Sequence, residues 1–205
     1  MGERRNGDGR LLEWGAASES RPGQTVAGDR AVVNARPDGA VVAAIDGLGH
    51  GPEAARAARI VSEVVGHYRD DDLTALLARC HGALTHTRGA AISLAFLSAG
   101  TSTITWLGIG SVEGRLLSGD RSAPRPKESL RLVSGVPGHR LPAVRPATLE
   151  LRRGDILIFA TDGIEASFAD SLTLSGSPET IAERILANHW KITDDALALV
   201  LRYLG

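Results

Sequence analysis

The hydrophobic positions of the chain change period several times, and each change predicts an element. Short β-prone runs stand at Leu11 to Ala17, Ala31 to Ala35 and Ala40 to Ile45, where small and branched apolar residues suit a pleated, buried surface. Pro22-Gly23 and Pro37-Asp38-Gly39 separate them. The second separator has the composition of a tight turn, so the last two runs read as a hairpin. From Gly51 the spacing lengthens. Ala54, Ala57, Ala58, Val61, Val64, Val65 and Tyr68 mark one face of a helix, with Pro52 suited to its first turn. A second helix is predicted from Leu73 to His86, with Leu73, Leu76, Leu77, Cys80 and Leu84 on one face and Asp72 as N-cap.

Strand character returns at Ala91 to Ser98, Ser102 to Gly108, Val112 to Leu117, Leu130 to Ser134 and Ile156 to Thr161. Ser177-Pro178-Glu179 opens a third helix reaching His189, and a strand from Ala196 to Tyr203 closes the chain. Helices come in blocks and strand pairs outnumber them, which predicts an α+β fold with antiparallel sheets rather than a βαβ repeat. Residues 1–10, Gly-rich and charged, are expected to form a flexible tail before a single domain over residues 11–205. The stretch at about 117–154 holds Pro124, Pro126, Pro137, Pro142 and Pro146 with a local excess of Arg. Proline suits sheet interiors poorly, so this stretch is expected to leave the sheets as a long excursion or flap.

Composition narrows the function classes. The 205 residues are 43% apolar, enough for a buried core. A net charge of -1 and 4% aromatics disfavour a nucleic-acid partner. One cysteine excludes a disulfide framework or a cysteine zinc cluster. The N-terminus is polar and no run approaches the roughly 18 apolar residues of a membrane span, so no membrane role and a cytoplasmic location are expected.

Candidate chemistry lies in the aspartates. Asp29 precedes a predicted strand, Asp46 and Asp162 end two others, and Asp194-Asp195 precede the last. Any one alone fits a turn or cap. Together, carboxylates gathered at one sheet edge repel unless a cation neutralises them, and oxygen-only ligands suit Mg2+ or Mn2+. Asp46-Gly47 and Asp162-Gly163 both follow apolar runs, and glycine lets the chain turn sharply and a carbonyl approach a metal. The loop Asp46-Gly47-Leu48-Gly49-His50-Gly51 leads into a helix N-terminus, which favours an anion such as phosphate. It is neither the dinucleotide fingerprint nor a nucleotide P-loop. The combination points to phosphoester chemistry.

Four strings carry a resemblance in order: Gly28-Asp29, Ala44-Ile45-Asp46-Gly47-Leu48-Gly49-His50-Gly51, Ala160-Thr161-Asp162-Gly163-Ile164 and Asp194-Asp195-Ala196-Leu197-Ala198-Leu199-Val200. With them the chain resembles the metal-dependent type 2C protein phosphatases, in particular the bacterial SpoIIE/RsbX-like branch. The resemblance implies a four-layer α-β-β-α sandwich of two antiparallel β-sheets flanked by helices, with two Mn2+ or Mg2+ ions at one end. By the same resemblance Asp46 bridges both ions, the Gly47 carbonyl faces the second, Asp162 and Asp194 hold the first, and Asp29 lies near the second. Asp195 would stand behind the ligands. The implied activity is hydrolysis of phosphoserine or phosphothreonine on a regulatory protein, a stressosome scaffold or an anti-sigma antagonist, through metal-activated water.

Eukaryotic relatives often carry a histidine directly after the first Asp-Gly; here Leu48 takes that place. His50 is the candidate leaving-group acid, with a packed loop histidine as the alternative. His67, His81, His86, His139 and His189 lack metal-ligand spacing and read as structural or surface residues. Ser111 fails the Gly-x-Ser-x-Gly rule, and its segment reads as a turn. The Arg-rich stretch from Arg115 to Arg153 suits either an acidic partner or a solvated surface. Two competing functions stand beside the phosphatase: a catalytically silent phosphatase-shaped binding module, and a nucleotide-binding enzyme using the glycine loop.

Overall fold

The computed structural model of the protein describes residues 11–119, 126–170 and 172–205. The expected tail at residues 1–10, and Asp120, Arg121, Pro124 and Arg125 of the expected excursion, lie outside the described residues.

The chain opens with three strands, β1 (Leu12–Glu19), β2 (Asp29–Arg36) and β3 (Gly39–Gly47). Two helices follow, α1 (Pro52–His67) and α2 (Leu73–Ala83). Then come β4 (Ala90–Ser98), β5 (Thr103–Ile109) and β6 (Glu113–Leu117). Three short strands are next, β7 (Glu128–Ser129), β8 (Leu132–Val133) and β9 (Ala147–Glu150). The chain ends with β10 (Ile156–Ala160), a single 3-10 turn (Ala166–Ala169), α3 (Pro178–His189) and β11 (Ala196–Tyr203).

One sheet has the order β1-β11-β10-β6-β7, and the other β2-β3-β4-β5-β8 with β9 also on β5. Alternation along the strands sorts the core into three layers of contact. Ala40, Val42 and Ala44 of β3 face Leu157 and Phe159 of β10 and Leu197, Leu199 and Leu201 of β11 between the sheets. Val41, Ala43 and Ile45 point the other way, onto Ala57, Val61 and Val65 of α1 and Leu73 and Leu76 of α2. Ile156 and Ile158 of β10 with Ala198 and Val200 of β11 pack on Ile181 and Ile185 of α3. The result is the predicted order of helices, sheet, sheet, helix. Strands buried on both faces explain why β3, β4 and β11 read as nearly unbroken apolar runs. Truncating a fully buried side chain such as Phe159 costs about 3–5 kcal/mol.

The predicted caps form. Asp72 accepts from the amides of Thr74 (2.9 Å) and Ala75 (3.1 Å), and Ser177 from that of Thr180 (3.2 Å). The helix predicted to run to His86 ends earlier, because the Leu84 amide turns back to the carbonyls of Cys80 and His81.

The Pro-rich stretch differs from the expected flap. β7 pairs with β6, while β8 and β9 pair with β5, so the stretch edges both sheets. Leu130, Val144 and Leu151 within it are buried. Proline confines pairing to two-to-four-residue pieces without preventing it. The strand predicted from Leu130 to Ser134 shrinks to Leu132–Val133 and lies parallel to β5, the exception in otherwise antiparallel sheets. Among the described residues no helix is long and apolar enough to cross a membrane.

Candidate active site

The tight turn at Pro37-Asp38 places Arg36 opposite Gly39, and the same ladder ends with Asp29 directly opposite Asp46. Cross-strand partners carry their side chains on one face, about 5 Å apart at Cβ. Asp29 is buried and its Oδ2 accepts from the Thr161 hydroxyl at 2.7 Å. That hydroxyl oxygen itself accepts from the Leu197 amide at 2.8 Å, which turns its proton towards Asp29 and ties the two sheets together. Asp46, partly open to solvent, accepts at Oδ2 from the Ser111 hydroxyl at 3.0 Å.

Burial, then the charge of Asp46, then those of Asp195 and Asp162, push the Asp29 carboxyl from 3.8 up to about 8, against the lowering by Thr161. Burial and the charges of Asp162, Asp194 and Asp195 push Asp46 up to about 7, against the lowering by Ser111. The chain thus holds two neighbouring carboxyls that resist ionisation together near neutral pH.

Asp46, Asp162 and Asp194 line one cavity of about 200 Å³. Arg21 and His50 line it too, with Leu48, Gly49 and Ser111 completing the wall. Asp162 follows β10, and its peptide oxygen accepts from Lys191 Nζ at 2.5 Å. Asp194 is held from both ends: its Oδ1 accepts from the Asp195 amide at 2.9 Å and its carbonyl from Trp190 Nε1 at 3.0 Å.

Glycine follows two of these aspartates because backbone from another element crowds in. A Cβ at Gly163 would collide with the Asp195 carbonyl, and one at Gly47 with the Ala54 carbonyl in the first turns of α1. A Cβ at Gly28 would lie 2.8 Å from the Ala54 side chain and 3.1 Å from Asp195 Oδ2. The buried Asp195 carboxylate accepts from the amides of Arg21 (2.8 Å) and Gly28 (2.6 Å). It closes the loop that carries Arg21 at one end and delivers Asp29 at the other.

Every side-chain donor in this acidic group is oxygen, the set that suits a hard divalent cation such as Mg2+ or Mn2+. Asp29 and Asp46 resist ionising together, and a bound cation would offset the repulsion between their ionised forms. The residues therefore fit a divalent metal. Among the described residues, no three His, Cys, Asp or Glu side chains close on a single point.

The sequence model of the stage II sporulation protein E (SpoIIE) family matches residues 36–204. The chain belongs to the SpoIIE family. A curated relative is the phosphoserine phosphatase RsbX of Bacillus subtilis (strain 168), 25% identical over 147 residues, 71% of each chain. RsbX solved in complex with magnesium matches with a TM-score of 0.82 at 21% identity, over 94% of this chain and 95% of that one. A chain from work on the bacterial stressosome, described as a modular system adapted to control secondary messenger signalling, reaches 0.86 at 26% identity, over 94% and 100%. The PP2C domain of SpoIIE from Bacillus subtilis gives 0.73 at 19% identity, over 94% and 63%.

SpoIIE membership makes the chain a metal-dependent serine/threonine protein phosphatase, and the two-sheet sandwich is the type 2C phosphatase fold. Of the residues predicted from the SpoIIE-like motifs, Asp46, Asp162, Asp194 and His50 share the cavity, while Asp29 stands beside Asp46 on the neighbouring strand and is not part of the lining. Gly47 packs against α1, its amide donating to the Gly28 carbonyl at 3.1 Å. Sequence reasoning missed Arg21 and Thr161, and set Ser111 aside as part of a turn, whereas its hydroxyl donates to Asp46 in the cavity wall. Thr161 sits inside a quoted motif, directly before Asp162, and was open to reading. Arg21 and Ser111 arrive on loops without a local signal.

Proposed function

We propose that this phosphatase removes phosphate from phosphoserine or phosphothreonine on a regulatory protein, a stressosome scaffold or an anti-sigma antagonist. Asp29, Asp46, the Gly47 carbonyl, Asp162 and Asp194 would hold two divalent cations, Mn2+ or Mg2+. The observation that carries this reading is the gathering of Asp46, Asp162 and Asp194 around one cavity, with Asp29 directly opposite Asp46 on the neighbouring strand. Such cations, when bound, supply Lewis acidity at the phosphoryl oxygens and ease deprotonation of an attacking water.

The protein's own groups do the rest. Ser111 and Thr161 fix one oxygen each of Asp46 and Asp29, so those carboxylates present a defined edge. Arg21 brings a permanent positive charge to the cavity wall, suited to phosphoryl oxygens. His50, on the loop after Asp46, hands a proton to the departing serine or threonine oxygen. Likeness to RsbX and to the stressosome chain supports a substrate of the stress-regulatory kind.

Phosphate release from p-nitrophenyl phosphate, and then from a phosphorylated stressosome scaffold, tests the proposal. The expected result is Mn2+-dependent turnover that falls about 10³-fold in Asp46→Asn. A folded sample that binds the phosphorylated scaffold and releases no phosphate with either metal contradicts it and favours the silent binding module.

A further inference from the structure

We propose that Arg88 reads an acidic side chain next to the phosphorylated residue of the protein substrate, and so helps decide which phosphoprotein is dephosphorylated; the inference rests on the phosphatase reading above. Arg88 lies in the turn between α2 and β4, and the backbone there is pinned on both sides. The Thr87 amide donates to the Leu84 carbonyl at 2.9 Å, and the Thr87 hydroxyl oxygen accepts from the Gly89 amide at 3.0 Å. The Gly89 carbonyl accepts from the Leu48 amide at 3.0 Å, which fastens this turn to the loop that follows Asp46.

From that fixed base the side chain reaches over the same loop. Arg88 Nη1 stands 2.8 Å from where a Cβ at Gly49 would be, so the guanidinium fills space that any side chain at that position would take. Gly49 adopts φ +90, a conformation that favours glycine, and it lines the cavity. The guanidinium is thus one residue's breadth from the phosphoryl site without being part of its wall.

Three other arginines spend their charge on acidic neighbours within the protein. Arg36 pairs with Asp38 at 3.4 Å, Arg115 with Glu113 at 2.6 Å and Arg202 with Glu13 at 3.5 Å. Among the described residues no carboxylate or carbonyl engages the Arg88 guanidinium, although acidic side chains crowd the neighbouring cavity. A planar fork of donors, exposed beside the mouth on a backbone pinned at both neighbouring residues, matches a carboxylate bidentately. Arg21 already stands in the cavity wall where the phosphoryl group goes, so the anion left for Arg88 belongs to the polypeptide flanking the phosphoserine.

The test compares two synthetic phosphoserine peptides, identical except that one carries Glu and the other Ala on both sides of the phosphoserine. Initial rates with Mn2+ give kcat/KM for wild type, Arg88→Ala and Arg88→Glu. Wild type is expected to prefer the Glu-flanked peptide about 5-fold, the scale of an exposed charge pair. Arg88→Ala brings that ratio close to one, and Arg88→Glu inverts it. The same ratio in all three active proteins overturns the assignment of Arg88, including the case where all rates fall equally because the guanidinium meets the phosphoryl group itself. No turnover of either peptide by wild type overturns the phosphatase reading, and this inference with it.

Discussion

The carboxylate of Asp195 accepts a 2.6 Å hydrogen bond from the amide of Gly28, across 167 positions of sequence. With the second bond from Arg21, this one side chain joins the strand that closes the protein to the loop that opens the site. Both partners are donors, so both oxygens must accept, and an amide in their place would turn N–H against N–H. Asp195→Asn is therefore expected to lose about 2–4 kcal/mol of stability, because hydrogen bonds to a buried charge are lost and one donor is left unmet. Its affinity for Mn2+ should weaken along with that loss, since Asp29 and Arg21 hang from the same loop. Thermal melting with and without Mn2+ measures both, and a wild-type melting temperature in Asp195→Asn would contradict the clamp.

Protons and divalent cations compete at the Asp29–Asp46 pair. Both carboxyls are raised above their ordinary 3.8, to about 8 and about 7, so the folded state holds these protons more tightly than the unfolded one. The stability tied to them is fully present below about pH 4 and is lost as pH rises through 7 to 8. In chelator, the melting temperature is expected to fall between pH 5 and pH 8, and Asp29→Asn should flatten that fall. With Mg2+ or Mn2+ the sign reverses, because binding requires the ionised pair and strengthens as pH rises. Calorimetry at several pH values, with and without metal, reads both slopes; parallel slopes would contradict the competition.

His50 can be tested through the leaving group. A phosphoserine ester needs a proton on its departing oxygen, whereas p-nitrophenol leaves without one. His50→Ala is expected to lower kcat on a phosphoserine peptide about 10²-fold, the usual share of general acid catalysis, with a smaller loss on p-nitrophenyl phosphate. Equal losses on the two substrates would make His50 a packing residue of the loop.

How much of this was legible in the sequence follows the reach of each signal. The long strands and helices were legible because period and caps are local: Asp72 and Ser177 cap the helices that they were expected to cap. Asp46 and Asp162 were legible because each ends an apolar run and is followed by glycine. The glycines proved to have a packing reason, with Ala54 and Asp195 pressed against them. The strands β7 and β9 were not legible, since runs this short between prolines have no measurable period, and β8 was legible only as a longer run from Leu130 to Ser134. Arg21, Ser111 and Arg88 were hidden for a different reason. Each stands on a loop whose place is set by bonds to distant residues, such as Arg21 to Asp195 and Gly89 to Leu48.

The central claim is that Asp46, Asp162 and Asp194 surround divalent cations in one cavity. Anomalous diffraction from a crystal soaked in Mn2+ tests it most directly. The account predicts two peaks about 3.5–4 Å apart in that cavity, with Asp46 between them. Manganese bound only elsewhere on the protein, with no anomalous density beside Asp46, would contradict it.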